Sequence, residues 1–180
     1  MMPSTELRRV TVKDECHHVC DALELELQWG VEPLAMPTLA LCKKWVQACF
    51  IESAASLALT IRVVSMDESQ TLNKTYRDKD RPTNVLSFES SPPPYVMEGD
   101  ELAPYLGDLA ICAEVVAQEA EQQEKSLEAH WAHMVVHGVL HLKGWDHIEP
   151  EEALEMEALE VKIMANLGYA NPYEISREGG

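Results

Sequence analysis

The sequence is short of positive charge. Its 14 lysines and arginines stand against 31 aspartates and glutamates, a formal net charge of −17. A balance that acidic argues against nonspecific nucleic-acid binding through a broad basic face. Long apolar runs are missing as well: none approaches the ~20 residues a membrane-spanning helix needs. The opening stretch, with Arg8, Arg9, Lys13, Asp14 and Glu15 in quick succession, has no hydrophobic region of the signal-peptide type. A cytoplasmic location with no membrane partner is the resulting expectation. The cysteines Cys16, Cys20, Cys42, Cys49 and Cys112 are odd in number and include no CxxC pair. They read as buried reduced thiols and not as a disulfide framework. Neither an internal repeat nor a domain linker is visible, and 180 residues suit one domain with a substantial core.

What is present alternates between strand and helix signals. Residues 1–22 are polar and aperiodic, and are expected to be an extension without fixed structure, leaving 23–180 as a single hydrolase-sized domain. Leu23-Glu24-Leu25-Glu26-Leu27 has the period of a strand with one buried face. Thr38 can cap a helix running to about Phe50, and Leu57–Val64, rich in β-branched residues, reads as a central strand. Asp67 can cap a second helix that ends before Pro82. Asn84–Phe88 reads as a third strand and Tyr105–Cys112 as a fourth, with Gly107-Asp108 marking a bulge or a close backbone approach. A long loop, 91–104, separates these two strands. Helices are expected over Glu114–Lys125, Leu127–Leu142 and Glu151–Leu167. In the last, Leu154, Ala158 and Val161 form an apolar stripe and the glutamates from Glu151 to Glu160 face solvent. The sum is an α+β fold: a small mixed sheet of about four strands packed with about five helices.

The chemistry concentrates in His137-Gly138-Val139-Leu140-His141-Leu142-Lys143-Gly144-Trp145-Asp146-His147. Residues four apart on a helix lie one above the other, so His137 and His141 can reach one ion at ~2.0–2.1 Å. Gly144 can end the helix in a left-handed conformation and turn His147 back toward the same ion. Three imidazoles with no fourth protein ligand suit a tetrahedral metal that keeps a position open for water, the catalytic arrangement. Three satisfied histidines near a helix end are the plainer alternative, but this spacing across a helix and its glycine stop seldom arises by chance. Asp146 reads either as a partner for an imidazole N–H or as a polar turn residue. His130 and His133 read as bystanders on the surface or in helix packing. Metzincin proteases share the spacing, yet Gly138 stands where they carry their glutamate base. A peptidase would need a replacement carboxylate, for instance Glu114 or Asp108.

This block resembles, at every fixed position, the H-G-x-L-H-L-x-G-x-D-H motif of the YbeY endoribonucleases. Tyr76-Arg77-Asp78-Lys79-Asp80 with Pro82-Thr83-Asn84-Val85-Leu86-Ser87-Phe88 is similar to the family's second signature, and Leu106-Gly107-Asp108 to a weaker third. The resemblance implies a zinc-bound, single-strand-specific endoribonuclease of the cytoplasm. It implies action on ribosomal RNA, at the 3′ end of the small-subunit RNA, and in ribosome quality control. It also implies one Zn2+ per chain on His137, His141 and His147, with Arg77 as the functional arginine. The chemistry of Arg77 agrees, because a guanidinium grips phosphate and can stabilise charge developing on it; the alternative is a surface ion pair with Asp78 or Asp80. Lys79 and Arg81 read as charges that steer the RNA backbone. Either water or a ribose 2′-OH can serve as nucleophile; the sequence names no general acid, and Ser87 and Asp108 are only candidates to contribute. Expected partners are single-stranded RNA, ribosomal RNA, and the small ribosomal subunit or its proteins. A metallopeptidase-like hydrolase and a non-enzymatic, zinc-stabilised assembly factor are the alternative functions.

Overall fold

A computed structural model describes residues 23–50, 57–90, 105–145 and 148–174. Its elements run β1 (Leu23–Trp29), α1 (Leu39–Ala48), β2 (Leu57–Val64), α2 (Met66–Arg77), β3 (Val85–Glu89), β4 (Tyr105–Cys112), α3 (Ala113–Gln122), α4 (Leu127–Leu142) and α5 (Pro150–Asn166). Among the described residues this is the expected α+β architecture of a four-stranded mixed sheet with five helices. The 1–22 extension and the 91–104 loop lie outside the described residues, as do Asp146 and His147.

Alternation along the strands decides which helix covers which face. The sheet order is β1-β2-β4-β3; β1, β2 and β4 are parallel, and β3 runs antiparallel at one edge. Leu59, Ile61, Val63, Leu109 and Ile111 belong to the main core, with α1 and α4. The alternate positions Val64, Ala110 and Cys112, with Leu86 of β3, gather Met66 and Leu72 of α2. Both faces of β2 are covered, hence its almost continuous apolar run.

Helix α4 is wedged among α1, α3, α5 and the sheet. Eleven of its 16 residues are buried, which is why it is apolar all round instead of amphipathic. The Ser126 Oγ caps it by accepting from the Ala129 N–H at 3.1 Å. In α2 the cap is Ser65, not Asp67: the Ser65 Oγ accepts from the Glu68 N–H at 3.2 Å. Asp67 sits with Glu68 in the first turn, where acidic side chains meet the positive end of the helix. Cys42, Cys49 and Cys112 are buried and unpaired, and burial pushes Cys42 and Cys49 up to about 12, so both stay protonated thiols.

In α5 the expected apolar stripe is corrected. Leu154 is 67% exposed, and the buried positions are Met156, Glu160, Ile163 and Met164. Both sets of residues have helical spacing. The winning one carries the bulkier side chains together with a carboxylate that finds partners inside.

Gly107 supplies the expected bulge. Ala58 pairs with Tyr105 and Leu59 with Gly107, so Leu106 is the extra residue. Gly107 has φ +148°, and a Cβ there would lie 2.2 Å from the Phe88 carbonyl oxygen on the neighbouring strand. Gly107→Ala is therefore expected to destabilise the fold by about 3 kcal/mol of backbone strain. Melting should fall by roughly 6–12 °C; an unchanged melting temperature would show that the bulge relaxes freely. No helix among the described residues is long and apolar enough to cross a membrane.

Candidate active site

The last turns of α4 carry the two histidines. Its C-terminus closes through the Gly144 N–H to the His141 carbonyl at 3.0 Å and the Trp145 N–H to the Leu140 carbonyl at 3.1 Å. Gly144 has φ +98°, the left-handed stop its sequence position called for. That turn brings the Trp145 carbonyl within 3.0 Å of His141 Nδ1. His137 Nδ1 is in hydrogen-bond contact with a Glu160 carboxylate oxygen from α5. With each Nδ1 engaged, the two Nε2 atoms face one another at 3.1 Å. Two nitrogens at ~2.0–2.1 Å from one tetrahedral ion stand roughly 3.3 Å apart. His137 and His141 thus fit a divalent metal through Nε2.

A second grouping also has ligand atoms in reach: those offered by His133, His137 and Glu160 lie within 4.8 Å of one another. Here Glu160 already meets His137 Nδ1 as a hydrogen-bond partner, while His133 Nε2 stands 3.6 Å from the other carboxylate oxygen. The Tyr173 hydroxyl donates to that same oxygen. Burial alone would raise the Glu160 pKa, but contacts with His133, His137 and Tyr173 hold it at about 2. Glu160 is fully buried, which overturns its reading as one of a solvated row of glutamates.

His130 and His133 are not surface residues either, at 1% and 7% exposure. His130 Nε2 lies 3.5 Å from Glu119, whose carboxylate also accepts from Asn84 Nδ2 at 2.9 Å. Burial opposes the charge on Glu119, yet the contacts with His130 and Asn84 outweigh it and lower its pKa. Burial lowers the His133 pKa, against the pull of Glu160.

Arg77, the last residue of α2, reaches the same site from the other side of the cleft. Its Nη2 donates to the Ser87 carbonyl at 2.9 Å, and its guanidinium lies 5.6 Å from the Phe88 ring centre. No carboxylate among the described residues pairs with it; Asp80 instead accepts from Gln70 at 2.9 Å and sits 3.7 Å from Lys74. The loop after α2 is clamped from below. Ser69 Oγ donates to the Thr83 carbonyl at 2.8 Å and accepts its N–H at 2.9 Å, and Asn73 Nδ2 donates to the Arg81 carbonyl at 2.8 Å. These bonds fix Lys79 and Arg81 on the rim of a cleft of about 730 Å³ that Arg77, His137 and His141 also line. The cleft runs along β3, the sheet's edge, and its lining includes Lys79 and Arg81, the two basic residues singled out in the sequence beside Arg77.

The remaining candidates are placed as follows. Ser87 Oγ donates to the Gly138 carbonyl at 3.1 Å, tying β3 to α4. The Asp108 carboxylate accepts from the Tyr105 hydroxyl, and neither Asp108 nor Glu114 lines the cleft. A Cβ at Gly138 would come within 2.8 Å of Leu109 and 3.2 Å of Val85. The glycine allows close helix–sheet packing, and a glutamate base of the protease kind at that position would have to displace the Leu109 side chain. Glu160 is the candidate site residue that periodicity missed. Its one sequence signal was a carboxylate set four residues from Met156 and four from Met164, on their stripe.

The family model described as Endoribonuclease YbeY matches residues 35–168. The chain belongs to the YbeY family. An Endoribonuclease YbeY from Hydrogenovibrio crunogenus (strain DSM 25203 / XCL-2) is 54% identical over 146 residues, which are 80% of this chain and 91% of that protein. A solution structure of a Thermotoga maritima protein aligns with a TM-score of 0.49 at 25% identity, covering 88% of this chain and 99% of that one. The stretch matched by the YbeY model runs from before α1 to just past α5. It contains Arg77, His137, His141, His147 and Glu160, while Tyr173 lies beyond it.

Proposed function

We propose that this protein is a zinc-dependent endoribonuclease that cuts single-stranded RNA in the cytoplasm. His137, His141 and His147 hold one Zn2+, and Arg77 receives the scissile phosphate. The observation that carries this reading is the convergence, in one cleft, of two imidazole Nε2 atoms 3.1 Å apart and a guanidinium without a carboxylate partner among the described residues. Membership of the YbeY family supports RNA as the polymer. Bound zinc supplies a Lewis acid and an activated nucleophile at neutral pH. The chain's own residues do the rest: Arg77 orients the phosphate and stabilises the charge that builds on it, and Lys79 and Arg81 guide the flanking backbone.

Ribosomal RNA, at the small-subunit 3′ end, is the target this reading names, with a role in ribosome quality control. A chain of net charge −17 is repelled by bulk RNA and needs a docking partner to find one position in it. The exposed glutamates of α5, Glu151, Glu152, Glu155 and Glu157, offer a face for a basic protein of the small subunit.

The test pairs a single-stranded oligoribonucleotide with the same sequence in a duplex. The purified protein should cut only the single strand, lose that activity to a chelator and regain it with one equivalent of zinc. Zinc-replete protein that leaves single-stranded RNA intact would sink the proposal.

A further inference from the structure

Helix α5 presents five glutamates between Glu151 and Glu160, and four of them face solvent. Glu160 is fully buried. A carboxylate is buried only where hydrogen bonds and charge replace its hydration. Three groups converge on this one: His137 Nδ1 on one oxygen, the Tyr173 hydroxyl on the other, and His133 Nε2 at 3.6 Å. A carboxylate so placed can only accept. The His137 proton therefore sits on Nδ1, which leaves Nε2 as the nitrogen directed at His141.

The two histidines are oriented by different means. His141 Nδ1 meets a backbone carbonyl, that of Trp145 at 3.0 Å, supplied by the helix stop whatever side chains surround it. His137 Nδ1 meets instead a side chain from another helix, the Glu160 carboxylate. The geometry points to Glu160 as the positioning residue of the metal centre: it sets the tautomer and ring orientation of His137, and the Tyr173 hydroxyl holds it in place. This inference rests on the proposed binding of metal through His137 Nε2. It gives the buried end of α5, and the segment after it, a role in metal affinity although neither lines the cleft. Partners of this kind raise the basicity of a ligating imidazole, and their loss weakens metal binding by about 10- to 100-fold.

The experiment uses the full zinc-loaded chain. Competition against a chromogenic chelator should show Glu160→Gln binding zinc about 10- to 100-fold more weakly than wild type. Tyr173→Phe, which keeps the carboxylate and removes one of its donors, should show a smaller loss in the same direction. Long-range proton–nitrogen spectra of the wild-type imidazoles should place the His137 proton on Nδ1 and zinc on Nε2. Glu160→Gln with wild-type zinc affinity overturns the inference. So does a wild-type spectrum with zinc on His137 Nδ1, the result expected if His133, His137 and Glu160 themselves hold the ion; that spectrum decides even if the glutamine variant does not fold. Wild-type protein that takes up no zinc overturns both this inference and the metal centre it rests on, whereas loss of the variant effect alone overturns only the role of Glu160.

Discussion

Arg77→Ala should lower cleavage of single-stranded RNA by about 10²–10³-fold, the usual cost of removing one preorganised group that stabilises transition-state charge. Metal content and folding should not change. The guanidinium is exposed and held by the carbonyls of Ser87 at 2.9 Å and Tyr76 at 3.3 Å. Surface contacts of that kind rarely contribute more than about 0.5 kcal/mol. The helix that carries it is anchored independently by Ser69 and Asn73, both buried and both bonded to the following loop. RNA binding should weaken modestly, and its salt dependence should flatten by about 0.7 in log–log slope for the lost phosphate contact. Arg77→Lys should recover only part of the rate, since an ammonium restores charge without the paired donors of a guanidinium. An alanine variant that cuts at the wild-type rate would reduce Arg77 to a surface residue beside Ser87.

His141→Ala should have the larger effect, taking bound zinc from about one per chain to none and abolishing cleavage. The variant removes one of the two facing Nε2 atoms and leaves an ion with too few protein ligands to be retained. Folding should survive, because α4 is fixed by buried neighbours such as Trp131, Val135, Val139 and Leu140, none of which lines the cleft. The decisive measurement is metal stoichiometry on protein whose melting has been checked. Full zinc retention by the variant would remove His141 from the centre and transfer the ion to His133, His137 and Glu160. Nickel found in place of zinc would not count against the site, since imidazole ligands suit both.

Much of this was settled by local sequence. The spans of β2, β4 and α4 follow from β-branched runs and a continuous apolar stretch, because each element's own period is enough to define it. The pairing of His137 with His141 and the stop at Gly144 follow from helix geometry, which acts over four or five residues. Tertiary structure decided whatever depends on a partner from elsewhere in the chain. Arg77 and His137 are 60 residues apart and share a cleft only because β3 lies between α2 and α4 at the sheet edge. Gly138 gave no sign of its packing role until Leu109 was found 2.8 Å from where its Cβ would stand. Two stripes on α5 had equal periodicity, and His137 with Tyr173 chose between them by giving Glu160 a reason to be inside. Periodicity tells which side chains share a face; it cannot tell what that face meets, and for a carboxylate or an imidazole the partner decides whether burial is tolerable.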